Sequence, residues 1–193
     1  MATQGKPGVQ TYGATARHLH WLMAALVTVQ VIAGLIMVNA PEGSLLASVS
    51  DTIGLYNGHK LLGLLLLALV LIRLAWRIAH GAPPEEPTVT VWQREASSLV
   101  HSWIYLALIV VPLLGWLGIS LYPALDVGWF KIPSLVTAPN EATSAVVLAA
   151  HAIAAFVLVG LVLIHVGAAL YHYFIRRDGV LARMLPGLGA SRK

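Results

Sequence analysis

Cysteine is absent from the 193 residues, which excludes a disulfide scaffold, thiolate zinc sites, iron–sulfur clusters and thioether-linked c-type haem. Charge is scarce as well. Asp, Glu, Lys and Arg make up 10% of the chain and hydrophobic residues 58%, whereas soluble domains carry about 25% charged residues. So few charges cannot solvate a globular surface, and lipid must cover much of it. Net charge is a modest +4; how Lys and Arg divide among the loops says more than their sum, and nucleic acid is not an expected partner. Neither a 20 to 50 residue repeat nor a low-complexity tract is present.

What the chain does have is four apolar runs of the length needed to cross a ~30 Å hydrocarbon core, approximately 17–38, 56–78, 98–121 and 144–175. The first is too long for a signal peptide and lacks a small-residue cleavage site, so it counts as a transmembrane helix. The fourth, roughly 48 Å long as a helix, should protrude from the bilayer on one side. The expectation is an all-α integral membrane four-helix bundle forming one domain over 1–193. Its first loop holds Pro41, Gly43, Ser44 and Asp51, and its second opens on the breakers Gly81, Pro83 and Pro84. The third loop, around 122–141, carries Trp129, Phe130 and Lys131 and suits a membrane interface.

Four spans put both termini on one side, together with the second loop. That side collects Lys6, Arg17, Arg73, Arg77, Arg94, Arg176, Arg177, Arg183, Arg192 and Lys193, while the other holds only Lys60 and Lys131. The bias predicts cytoplasmic termini.

Eight histidines accompany eight carboxylates, a high share for a lipid-facing chain in which an intramembrane polar group needs a reason to be there. His151 and His165 lie on one face of the fourth segment, within ~40° and ~21 Å apart along the axis. His20 sits about one turn into the first segment and His59 about one turn into the second. Because the segments alternate in direction, His20 shares the depth of His165 and His59 that of His151. Any one of these imidazoles alone reads equally well as a hydrogen-bonded core residue. Two depth-matched pairs point instead to axial ligation of haem between facing helices. Zinc is disfavoured, since neither pair has a carboxylate or thiolate beside it to complete a tetrahedral set.

Certain motifs in the sequence resemble the prokaryotic cytochrome b561 family of dihaem membrane proteins. They are Arg17-His18-Leu19-His20-Trp21-Leu22, Asn57-Gly58-His59-Lys60, His101 through Tyr105 followed by Val111-Pro112-Leu113-Leu114-Gly115, and in the last segment His151, His165 with Ala168-Ala169-Leu170, His172-Tyr173-Phe174 and Arg183-Met184-Leu185-Pro186. Their order and spacing cover nearly the whole chain. The resemblance implies a multi-pass protein of the bacterial inner membrane with two haem b groups. His20 and His165 would hold the cytoplasmic-side iron, and His59 and His151 the periplasmic-side iron.

Two imidazoles on each iron leave no open position for oxygen chemistry, so such haems suit one-electron transfer. The family resemblance further implies quinone chemistry and, in one branch, a superoxide oxidase that passes electrons from superoxide to ubiquinone. Lys60 and Lys131, the two outer cations, would then steer the anion against the outer acids Glu42, Asp51, Asp126 and Glu141. The same lysines read equally as a propionate partner and an interfacial cation. On the cytoplasmic side His101, about one turn into the third segment, and His172, two turns beyond His165, are candidate hydrogen-bond donors or proton relays to quinone. A surface or propionate contact is the alternative for His172; His18 and His80 read as interfacial. A different class of function, a membrane anchor subunit taking electrons from a partner dehydrogenase or redox protein, would use the same haem ligands. A histidine-lined transporter or channel is disfavoured, because the segments hold few other ionisable groups.

Overall fold

The computed structural model describes residues 10–40, 43–52 and 54–188. Lys6, Pro41, Glu42, Arg192 and Lys193, used above in the loop and charge assignments, lie outside the described residues. Among the described residues the regular secondary structure is helical, apart from one isolated antiparallel bridge between Asp126 and Lys131. Four helices are long and apolar enough to cross a membrane: α1 (Ala14–Asn39), α3 (Leu55–His80), α4 (Val91–Leu121) and α5 (Glu141–Tyr171), the last continued by a π-helical turn, His172–Arg176. The short helix α2 (Leu45–Thr52) fills what the sequence reading leaves as an irregular loop, and the Ser44 hydroxyl caps it by accepting from Ala47 N at 3.1 Å.

One boundary is corrected. The third apolar run begins at 98, but α4 begins at Val91, because a capping box starts the helix there: the Gln93 side chain reaches back to Thr90 N. Hydropathy marks the lipid-facing part of a helix and misses its polar extension. At α5 the Asn140 side chain accepts from Thr143 N at 3.0 Å, and α3 is delimited by Gly54 and Gly81, both at positive φ, where a side chain would be strained.

α1 packs on α3, α3 on α4 and α4 on α5, with α1 and α5 standing further apart. The α4–α5 seam is tight because it is lined with small residues. A Cβ on Gly118 would come within 2.4 Å of Leu148 Cδ2, and the buried Ser144 hydroxyl donates to Gly118 O at 2.9 Å. Outward faces carry exposed apolar side chains such as Val29, Ile32, Leu71, Ile72, Ile153 and Phe156, the surface that a bilayer would cover.

At one end of the bundle, the loop between α4 and α5 folds into a small hairpin whose Leu125, Val127 and Ile132 are buried against Leu61, Leu64, Trp116 and Ile119. Trp116 Nε1 donates to Pro133 O at 2.7 Å, and Gly128, at φ 94°, makes the turn that leaves Trp129 81% exposed at the tip. At the opposite end the C-terminal segment straps across the bundle. Tyr12 N donates to Arg183 O, Trp21 Nε1 to Met184 O, and Arg183 Nη2 to the carbonyls of Pro83 and Pro84. Both ends of the described chain and the α3–α4 loop therefore share this tail end.

Candidate functional site

The helices bring the predicted histidines together in two clusters along the inside of the bundle. Near the hairpin end, His59 of α3 faces His151 of α5 with ring centres 6.3 Å apart and planes at 80°. Near the tail end, His20 of α1 faces His165 of α5 at 6.1 Å and 75°. An imidazole nitrogen binds a first-row metal at ~2.0–2.1 Å and lies about 1.1 Å from its own ring centre, so two rings on opposite sides of one iron have centres ~6.3 Å apart. Both pairs match that span.

The surroundings of the hairpin-end pair also fit a ligated imidazole. His151 Nδ1 lies 2.9 Å from Val111 O, which can only accept; Nδ1 therefore carries the hydrogen and Nε2 is left for a metal. That carbonyl sits beside Pro112, whose ring deprives Leu108 O of its helical donor and loosens this turn of α4. Two glycines make room. A Cβ on Gly115 would lie 3.2 Å from the His151 ring, and one on Gly34 would lie 3.4 Å from His59 Cε1. His59 Nδ1 is a buried nitrogen with no hydrogen-bond partner among the described residues, and Gln30 holds the His59 backbone through a 2.9 Å bond to its carbonyl.

At the tail-end pair a third imidazole intrudes. His101 of α4 meets His165 edge to face at 4.9 Å, and its Nδ1 donates to Ser97 O at 2.6 Å. With α4 starting at Val91, His101 lies nearly three turns into the helix rather than one. Arg73 supplies a fixed cation here: it donates to Tyr105 OH at 3.1 Å and to Ala16 O at 3.0 Å, with Nη2 at 3.4 Å from His20 Nδ1. That last approach is too long to fix the His20 tautomer.

His172, in the π-helical turn, is 8% exposed, which excludes the surface alternative, and its Nδ1 lies 2.6 Å from Asp178 Oδ2. Lys60 and Lys131 lie at the hairpin end. Lys60 Nζ donates to Asn57 Oδ1 at 3.2 Å, and Lys131 is exposed. Asp126 acts electrostatically on Lys60, and its backbone pairs with that of Lys131 in the bridge. His18 and His80 are exposed, as an interfacial position requires.

Arg73, Asp178, Gly34 and Gly115 form parts of these clusters that the sequence reading assigns no role. A lone Arg inside an apolar run is itself a signal, since such a charge needs a partner in the bundle. Asp178 carries none, because the chain leaves α-helical geometry before reaching it.

A family model described as prokaryotic cytochrome b561 matches residues 11–187. The chain is 29% identical over 179 residues to "Cytochrome b561 homolog 1" of Escherichia coli (strain K12), with 91% of this chain and 97% of that protein covered. It is 31% identical over 187 residues to "Cytochrome b561 homolog 2" of the same organism, covering 91% and 92%. "Cytochrome b562" of Cereibacter sphaeroides is 28% identical over 167 residues, covering 86% and 90%.

Proposed function

Because the chain belongs to the prokaryotic cytochrome b561 family, and is thus a multi-pass electron-transfer protein of the bacterial inner membrane that carries b-type haem, we propose that it moves electrons from superoxide on the periplasmic side to ubiquinone on the cytoplasmic side. Two haem b groups would supply the one-electron couple; His59 and His151 would hold one and His20 and His165 the other. The observation that carries this reading is the pair of ring separations, 6.3 and 6.1 Å, at two depths of one bundle. Bis-imidazole haem supplies a one-electron couple without an open coordination position.

The protein's own residues then do the rest. Lys60 and Lys131 attract the superoxide anion to the hairpin end, with Asp126 opposing the charge of Lys60. Gly34 and Gly115 admit the imidazoles of the outer pair, and the Val111 carbonyl orients His151. At the tail end His101 and His172 contribute hydrogen-bond donors and a proton path, and Arg73 a positive charge. Two superoxide anions give two molecules of oxygen and two electrons; ubiquinone takes these with two protons from the cytoplasm to become ubiquinol. The bias in Lys plus Arg, ten against two in the full sequence, supports cytoplasmic termini and hence this direction.

Stopped-flow mixing tests the reading. A superoxide pulse is expected to reduce the haems of the purified protein, and ubiquinone-1 to reoxidise them. No haem reduction by superoxide, together with reduction by a co-purified redox protein, would establish the anchor-subunit function instead.

A further inference from the structure

The tail end contains a buried histidine–carboxylate contact that electron transfer alone does not require. The Asp178 side chain is 3% exposed and His172 8%. Each carboxylate oxygen has a donor: Oδ2 is 2.6 Å from His172 Nδ1, and Oδ1 accepts from Val180 N at 3.2 Å. The other groups facing the pair are Arg176, whose Nε is 3.9 Å from Asp178 Oδ2, and the Tyr171 ring, edge-on to His172 at 5.7 Å. A carboxylate is costly to bury, and a neutral amide could serve the same backbone turn. The chain nonetheless contorts to make this contact, through a π-helical turn and Arg177 at φ 53°, backbone features that concentrate at functional sites.

We infer that Asp178 is a positioning residue that holds His172 with its hydrogen on Nδ1 and its Nε2 free to pass protons to the electron acceptor at the tail end. The inference rests on the quinone reading above. A carboxylate accepts only, so the proton between the two groups belongs to Nδ1 and Nε2 becomes the exchanging atom. His172, the first residue after α5, lies seven residues beyond His165, about 10 Å further along the axis and on nearly the same face. In each transfer the Nε2–H bond breaks and an O–H bond forms on the quinone. The ring is left neutral, keeping its Nδ1 hydrogen and donating it to Asp178, and a proton from the cytoplasm, delivered through water, recharges Nε2. Two such transfers match the two electrons that arrive from two superoxide anions.

The test uses the haem-loaded protein in detergent, reduced with dithionite, freed of excess reductant and mixed with ubiquinone-1. Asp178→Asn donates from its amide to Nδ1 and moves the hydrogen to Nε2, so reoxidation should slow about tenfold or more while haem content and the reduced spectrum are retained. Asp178→Glu should recover part of the rate. In a His172→Gln background Asp178→Asn should add no further slowing, which a purely structural role would not produce. An unslowed Asp178→Asn, or one that slows the His172→Gln protein by the same factor, overturns the inference while the quinone reading stands. If ubiquinone-1 fails to reoxidise even the wild type, the quinone reading falls and takes the inference with it. If Asp178→Asn loses haem, 15N-histidine NMR of the wild type decides: a protonated Nδ1 on His172 supports the inference and an unprotonated one overturns it.

Discussion

His101 meets His165 edge to face with ring centres 4.9 Å apart, closer than the 6.1 Å that separates His165 from His20. The shorter distance cannot accommodate an iron between opposed imidazoles, which needs ~6.3 Å. His165 can therefore share a metal with His20 and not with His101.

Haem stoichiometry follows from that distinction. A pyridine haemochrome assay should find two haems per chain. His20→Ala or His165→Ala should remove one and leave the other; His59→Ala or His151→Ala should do the converse. His101→Ala should retain both. One haem in the wild type, or loss patterns pairing His20 with His151, would contradict the assignment.

The glycine cradles give a graded expectation. Gly115→Ala brings a methyl to 3.2 Å from the His151 ring, so imidazole or helix must shift, whereas Gly34→Ala reaches ordinary contact at 3.4 Å from His59. Overpacking of this kind costs about 1–3 kcal/mol. Thermal release of haem, followed by the Soret band, should begin at a lower temperature in Gly115→Ala and shift less in Gly34→Ala.

Charge at the hairpin end should set the rate with superoxide. Unit charges at 4 Å interact by ~1–4 kcal/mol depending on the effective dielectric, so Lys60→Gln or Lys131→Gln should slow superoxide-driven reduction without removing haem. Asp126→Asn, which removes the carboxylate that acts on Lys60, should accelerate it. Each effect should shrink as ionic strength rises in the stopped-flow buffer. Equal rates in all three variants would eliminate steering.

Topology can be read directly. Reporters fused after Lys193 or within residues 81–95 should report the cytoplasm, and one near Asn140 the periplasm. The reverse pattern would exchange the roles of the two histidine pairs.

The four spans, the lipid-covered surface and the depth pairing of His20 with His165 and His59 with His151 could all be derived from the sequence, because helix rise and a fixed bilayer thickness convert spacing directly into depth. The contacts that complete the site could not. The short helix α2, the hairpin packed on Leu61 and Trp116, and the approach of His101 to His165 depend on how separate helices rotate against one another, which no periodicity encodes. The same holds for Arg183, which reaches Pro83 and Pro84 a hundred residues away, whereas Asp178 meets His172 within one segment because the helix widens into a π turn and reverses at Arg177, a local geometry that hydropathy does not mark. Hydropathy and spacing act along one helix at a time. Only packing between helices brings these polar groups into a common low-dielectric interior, where each must find a partner.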